Sequence, residues 1–208
     1  MNLVAVSQRV DVYVDRNERR DALDQRLGAF LLVAGFLPAP LPNCFYLASS
    51  KGATIKGSFN AWLEAIHPQA FVLSGGNDIG SCGERDQTEG WVLDYAKESN
   101  LPVLGVCRGM QMLGVWAGAS LKSVTGHVCA RHELVGEISG EVNSYHNQAL
   151  AECPPGFEVI AQSKDDEIEA IRHQTLPWEG WMWHPEREEK FHSRDIQRIR
   201  ALFMRKIT

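Results

Sequence analysis

Two hydrophobic patterns alternate along the first half of the chain. Leu3-Val-Ala-Val6, Ala70-Phe-Val-Leu73 and Pro102-Val-Leu-Gly-Val106 are short, nearly unbroken apolar runs, the pattern of strands buried on both faces. Between them apolar residues recur at helical spacing. Leu23, Leu27, Phe30, Leu31 and Ala34 share one side of a helix predicted from Asp21 to Gly35, where Gly35 is a good stop. Phe59, Leu63 and Ile66 predict a helix after Gly57, Trp91, Val92 and Tyr95 one from Glu89 to Ser99, and a Met- and Leu-rich stretch one from Arg108 to Gly118. Leu37-Pro-Ala-Pro-Leu-Pro42 cannot be helical, because each proline lacks an N–H and restrains its neighbour. It suits an extended edge segment or a loop. Residues 79–88 are polar, contain two glycines and read as a loop.

This strand–helix alternation predicts an α/β fold: three layers, with a mostly parallel central sheet covered by helices on both faces. The second half differs. Residues 128–148 hold short β-prone pieces, Phe157–Ala161 and Ile168–Ile171 suggest a meander, and Gly180-Trp-Met-Trp183 reads as the last strand. Ser193 is the expected N-cap of a final helix burying Ile196, Ile199, Phe203 and Ile207.

Composition narrows the classes. A chain of 208 residues fits one domain spanning 1–208, long enough to fold on its own core. The formal net charge of −5 argues against a nucleic-acid binder, which would show a basic surface. Five cysteines, at 44, 82, 107, 129 and 153, are irregularly spaced and suggest free thiols in a reducing, cytoplasmic compartment. No apolar leader or membrane-length apolar run is read, so no membrane association is expected.

The most informative stretch is Gly105-Val-Cys107-Arg-Gly109, set between a predicted strand and a predicted helix. It is a cysteine version of the G-x-S-x-G nucleophile elbow. A sharp strand-to-helix turn brings the flanking positions close to neighbouring backbone, where glycine fits because it has no Cβ. The turn presents the Cys107 sulfur at the carboxyl end of the sheet and at a helix N-terminus, which favours negative charge. The N–H of Arg108 would point at a developing oxyanion. A thiolate nucleophile needs a base, and the base an orienter. His184-Pro-Glu186, just beyond the last predicted strand, offers both. An i, i+2 spacing in an extended segment would point both side chains to one face.

Gly105-Val-Cys-Arg-Gly-Met-Gln111 with the distant His184-Pro-Glu186 resembles the class I glutamine amidotransferase family. Leu73-Ser-Gly-Gly-Asn-Asp78 matches its glycine-rich loop, and Asn143-Ser-Tyr-His-Asn-Gln148 resembles a segment of its γ-glutamyl hydrolase branch. The four motifs stand in the family's order. The resemblance implies a flavodoxin-like fold and a Cys107–His184–Glu186 triad cleaving a γ-glutamyl amide through a thioester. It also implies an oxyanion hole from the N–H groups of Gly76 and Arg108. Gln111 and the backbone around Ser144, Tyr145 and His146 would then hold the glutamyl group. No cofactor is expected.

Many members of the family supply ammonia to a synthetase. The chain runs only about twenty residues past Glu186, so the expectation is either a separate synthetase subunit or a stand-alone γ-glutamyl hydrolase. The Asn143–Gln148 segment favours the hydrolase. Ser7-Gln-Arg9 follows the first strand, and Arg9 is a candidate clamp for a carboxylate or phosphate. Residues 9–26 balance five Arg against five acids, so Arg16, Arg19, Arg20 and Arg26 read equally as a salt-bridged surface. The Ser7-Gln-Arg-Val-Asp11 opening also resembles small hydrolases of capsule and surface-polysaccharide clusters, some acting on cytidine-diphosphate-linked γ-glutamyl compounds.

Other readings are weaker. His127-Val-Cys129-Ala-Arg-His132 carries metal donors, but structural zinc sites add a second pair of ligands. The sequence shows no convincing partner, so no metal is expected there. Cys82 is expected on an exposed loop with no base beside it. The six Trp read as core and pocket wall. Glyoxalase-like relatives of the wider fold lack a His-Pro-Glu pair, and a non-catalytic binding module would tolerate loss of Cys107.

Overall fold

The computed structural model describes residues 1–46 and 55–204. In chain order the strands and helices are β1 (Asn2–Ser7), β2 (Arg9–Tyr13), β3 (Glu18–Ala22), α1 (Gln25–Val33), β4 (Phe36–Leu41), α2 (Ile55–Ile66), β5 (Ala70–Leu73) and α3 (Gly83–Glu98). There follow β6 (Val103–Val106), α4 (Arg108–Trp116), β7 (Leu121–Ser123), β8 (Val128–Gly136), β9 (Gly140–Tyr145), β10 (Gln148–Leu150), β11 (Phe157–Gln162), β12 (Ile168–His173), β13 (Trp178–Trp181) and α5 (Ser193–Phe203).

A nine-stranded sheet in the order β4-β1-β5-β6-β13-β12-β11-β8-β9 forms the centre. Its first five strands are parallel, and its last four pair antiparallel. β5, β6 and β13 are buried along their whole length, as the continuous apolar runs require. The proline-rich segment is the edge strand β4, pairing only through β1, where missing N–H groups are tolerated. From β1 the chain goes outward to β4 and then back to β5. Right-handed crossovers therefore place α1 on one face and α2, α3 and α4 on the other. The reversal beside β1 opens a crevice at the carboxyl ends of β1, β5 and β6, where ligands bind in such sheets. α5 joins the α1 face: Arg200 donates to Ala34 O at 2.8 Å, and the Phe203 ring meets Phe36 edge-on.

Several boundaries move. Residues 9–22 form a β2–β3 hairpin, so the first helix starts at Gln25, where Asp24 caps Arg26 N at 2.9 Å. The alternation of Val10 and Val12 with Asp11 and Tyr13 was the overlooked strand signal. α3 begins at Gly83, six residues before Glu89, because Arg85 and Glu89 pair at i, i+4 inside the protein. The polar composition that suggested a loop belongs to a buried ionic face. Cys82 immediately precedes α3 and is buried against Arg19 rather than exposed. α5 is preceded by His192, and Ser193 is its first turn; Ile207 lies outside the described residues. Trp178, Trp181 and Trp183 are fully buried core.

Candidate active site

Cys107 is the single residue between β6 and α4, with φ 51° and ψ −107°, a conformation that L-residues adopt only when the surroundings force it. The surroundings are tight. A Cβ at Gly105 would lie 2.5 Å from the Gly109 carbonyl oxygen, and one at Gly109 would collide with the Leu73 carbonyl of β5. Cys107 N donates to Trp181 O at 2.7 Å, and its carbonyl accepts from Met110 N and Gln111 N. The elbow expected from Gly105–Gly109 is thus clamped between β5 and β13.

β13 delivers His184, whose Nδ1 lies 2.7 Å from Glu186 Oε1. The contact is the expected one, but the path to it is not. Pro185–Arg187 is a 3-10 turn, not extended chain, so the turn curls Glu186 back under the ring. The imidazole also lines one cavity with Cys107. Burial, the largest influence on His184, pushes its pKa down. The hydrogen bonds and charges of Cys107 and Glu186 outweigh burial and raise the pKa to about 9. At neutral pH the ring is therefore held as an imidazolium.

Two residues to which sequence reasoning gave no such role hold this turn. Asn143 of β9 accepts from His184 N at 3.0 Å and donates to His184 O at 2.8 Å. Arg26 of α1 donates to Glu186 O at 2.7 Å and also to Glu188 O. Arg26 is thereby separated from Arg16, Arg19 and Arg20, which pair with Asp15, Glu84 and Glu18 on the outside.

The Gly75–Gly76 loop is fixed by a second network. Arg85 donates to Ser74 O at 2.6 Å and Gly75 O at 3.1 Å. Glu89 receives Arg85, Arg108 and the Ser7 hydroxyl. Arg85 and Glu89 are fully buried, and neither stands in a recognisable motif. The Arg108 side chain turns away from the sulfur into this network, leaving its N–H at the first turn of α4 without an intrahelical acceptor. Gly76 has φ +108°, open to glycine at little cost. A Cβ on Gly75 would stand 2.6 Å from His184 Cε1; the ring needs that space.

Cys107, Gly76, Arg108, Gln111, Tyr145, His146 and His184 line one cavity of about 310 Å³. The structure thus brings together most of the expected site residues. Arg9 and Glu186 line a neighbouring cavity instead, and Ser144 lines neither: it is buried and donates to His127 O at 2.6 Å. Gln111 spends its amide N–H on Gln148 O at 2.9 Å. A second cavity of about 210 Å³, lined by Arg9, Asp11, Asp24 and Gly75, shares Gly76, His184 and Arg187 with the first. Arg187, another residue not foreseen, lays its guanidinium 4.7 Å from the centre of the Tyr145 ring.

Residues 50–201 match the model of the glutamine amidotransferase class-I family. The chain belongs to that family. Among curated class I relatives, the γ-glutamyl-CDP-amidate hydrolase of Campylobacter jejuni is 27% identical over 203 residues, 93% of this chain and 94% of its own. One subunit of the glutamine-hydrolyzing GMP synthase of Thermococcus kodakarensis is 28% identical over 146 residues, 65% of this chain and 76% of its own. A solved GMP synthase subunit structure from Thermoplasma acidophilum shares the fold with a TM-score of 0.69 at 22% identity, covering 98% of this chain and 94% of that chain. A Thermotoga maritima glutamine amidotransferase does so with a TM-score of 0.60 at 16% identity, covering 89% of this chain and 76% of that chain. In this class I glutamine amidotransferase no described helix is long and apolar enough to cross a membrane.

Proposed function

We propose that the protein hydrolyses a γ-glutamyl amide, releasing glutamate and an amine. The observation that carries this reading is the Cys107–His184–Glu186 relay opening onto a cavity of about 310 Å³. In the proposed sequence the Cys107 thiolate attacks the δ-carbonyl carbon. The N–H groups of Gly76 and Arg108 receive the oxyanion. His184, already protonated, gives its proton to the departing amine as the C–N bond breaks, leaving a γ-glutamyl thioester. The neutral imidazole then takes a proton from water, and the hydroxide attacks the thioester. The thiolate leaves, glutamate is released and the imidazolium is restored. Glu186 holds the ring in one orientation and stabilises its charge in both steps.

The leaving group would occupy the second cavity, beyond His184. Arg187 and Arg9, the latter ion-paired with Asp11 at 2.6 Å, line it, and their guanidinium groups would hold an anionic leaving group such as a nucleoside diphosphate. The C. jejuni relative, aligned along nearly the whole chain, supports this choice. The second reading, a glutaminase subunit serving a separate synthetase, is favoured by the GMP synthase relatives. Glutamate release from glutamine, γ-glutamyl-γ-aminobutyrate, γ-glutamyl-ethanolamine and a cytidine-diphosphate-linked γ-glutamyl compound separates the two, with Cys107→Ala as control. Preference for the nucleotide-linked compound, with KM raised by Arg9→Ala or Arg187→Ala, supports the hydrolase. Turnover of glutamine alone, stimulated by a synthetase, supports the glutaminase. Undiminished turnover in Cys107→Ala overturns both.

A further inference from the structure

His127, His132, His146 and Glu169 come from four separate stretches: the turn before β8, β8 itself, the turn after β9, and β12. One donor atom from each lies within 4.8 Å of all the others. His127, His146 and Glu169 are buried; Glu169 is 0% exposed. Neither Glu169 oxygen has a hydrogen-bond partner among the described residues, and the same holds for His127 Nδ1, His132 Nε2 and His146 Nε2. A buried carboxylate with both oxygens unpaired is strongly disfavoured unless a positive charge faces it.

The spacings point to what that charge is. Glu169 Oε1 is 3.5 Å from His127 Nδ1 and 3.4 Å from His146 Nε2. Both are longer than the N–H···O range of about 2.7–3.2 Å. They match the edge of a tetrahedron around a zinc ion, about 3.4 Å when the bonds are about 2.0–2.1 Å. The far side of each of two rings is already engaged. His127 Nε2 meets Asp165 Oδ2 at 2.9 Å, and His146 Nδ1 meets Gln148 O at 3.0 Å. Such partners put the ring proton on the outer nitrogen and turn the inner lone pair toward the centre, as carboxylates and carbonyls do behind zinc-bound histidines. The rings of His127 and His132 sit 4.1 Å apart, and those of His127 and His146 4.8 Å apart, as imidazoles converging on one point do.

We propose that His127, His132, His146 and Glu169 bind one zinc ion. Three imidazoles and a carboxylate are borderline donors suited to zinc, and four protein ligands close a tetrahedral shell, so the ion is structural. It ties the β8–β9 hairpin to β12. It also fixes the floor of the first cavity, because the Gln148 carbonyl accepts from both His146 and Gln111. Ser144 then has a role, since its hydroxyl holds the His127 carbonyl. The sequence offered His127 and His132 as donors but not their partners, because His146 and Glu169 lie farther along the chain.

The test uses the full chain with Cys107→Ala, which removes the pocket thiol as a competing ligand. The metal content of the purified protein is measured, and the chelator-treated chain is titrated with zinc and, separately, cobalt. The expected results are one zinc per chain, a thermal midpoint that falls on chelation and recovers with zinc, and intense visible bands of four-coordinate cobalt. His132→Ala and Glu169→Gln should weaken zinc binding at least about tenfold. Failure of the chelated chain to take up zinc, six-coordinate cobalt, or unchanged stoichiometry and affinity in both variants overturns the proposal. The cobalt spectrum of the parent chain decides even if a ligand variant misfolds.

Discussion

The side-chain amide of Asn143 pairs with both backbone groups of His184, accepting from its N–H at 3.0 Å and donating to its carbonyl at 2.8 Å. A strand of the antiparallel half thereby grips the residue that the parallel half delivers. Asn143→Ala should leave the buried His184 N–H unpaired at about 1–3 kcal/mol, while the His184 carbonyl keeps Arg187 N as its donor, and loosen the His184 turn. The expected outcome is a kcat reduced about ten- to hundredfold, with KM little changed. Steady-state kinetics on the preferred γ-glutamyl substrate checks it.

Cys107 stores backbone strain at φ 51°, ψ −107°. Cys107→Gly should relieve it and stabilise the fold by about 1 kcal/mol or more, while abolishing glutamate release. Urea unfolding of both proteins measures the first effect. A glycine variant less stable than the parent would mean that the elbow is not strained.

The raised pKa of His184 fixes the sign of one pH dependence. The folded value is about 9, against 6.5 for the free side chain. Its contribution to stability is complete below about 6.5 and is lost as pH rises through about 9. Glu186→Gln should flatten the fall in unfolding free energy between those values. Activity should decline over the same upper range, as the proton for the leaving amine is lost.

Glu89 is buried between Arg85 and Arg108. Burial, the strongest influence, would raise its carboxyl pKa, but Arg108 and Arg85 outweigh it and hold the pKa below the ordinary value. Glu89→Ala should cost about 3–5 kcal/mol, because the buried Arg85 guanidinium is left uncompensated and Arg108 keeps only Asp86. Chemical denaturation provides the number.

Gly75 leaves room for His184, where a Cβ would stand 2.6 Å from Cε1. Gly75→Ala should push the ring off Cys107 and cut kcat about a hundredfold, with unfolding changed far less than in Glu89→Ala. Parallel activity and unfolding measurements distinguish ring displacement from general damage.

The sequence by itself determined whatever depends on local backbone chemistry. Gly105, Cys107 and Gly109 announce a strand-to-helix elbow because only glycine permits such close backbone approach. The apolar runs at β1, β5 and β6 announce buried parallel strands because both of their faces are covered. His184 and Glu186 were legible as a pair, although the turn that joins them was not, since two residues do not reveal whether the chain between them is extended or curled. The hairpin at 9–22 and the early start of α3 were hidden because charged residues there satisfy one another across space. Tertiary structure alone decided that Arg85, Glu89, Asn143 and Arg26 brace the site, and that His127, His132, His146 and Glu169 meet. Most of those meetings join residues far apart in the chain, and burial makes each polar group depend on partners that no local pattern specifies.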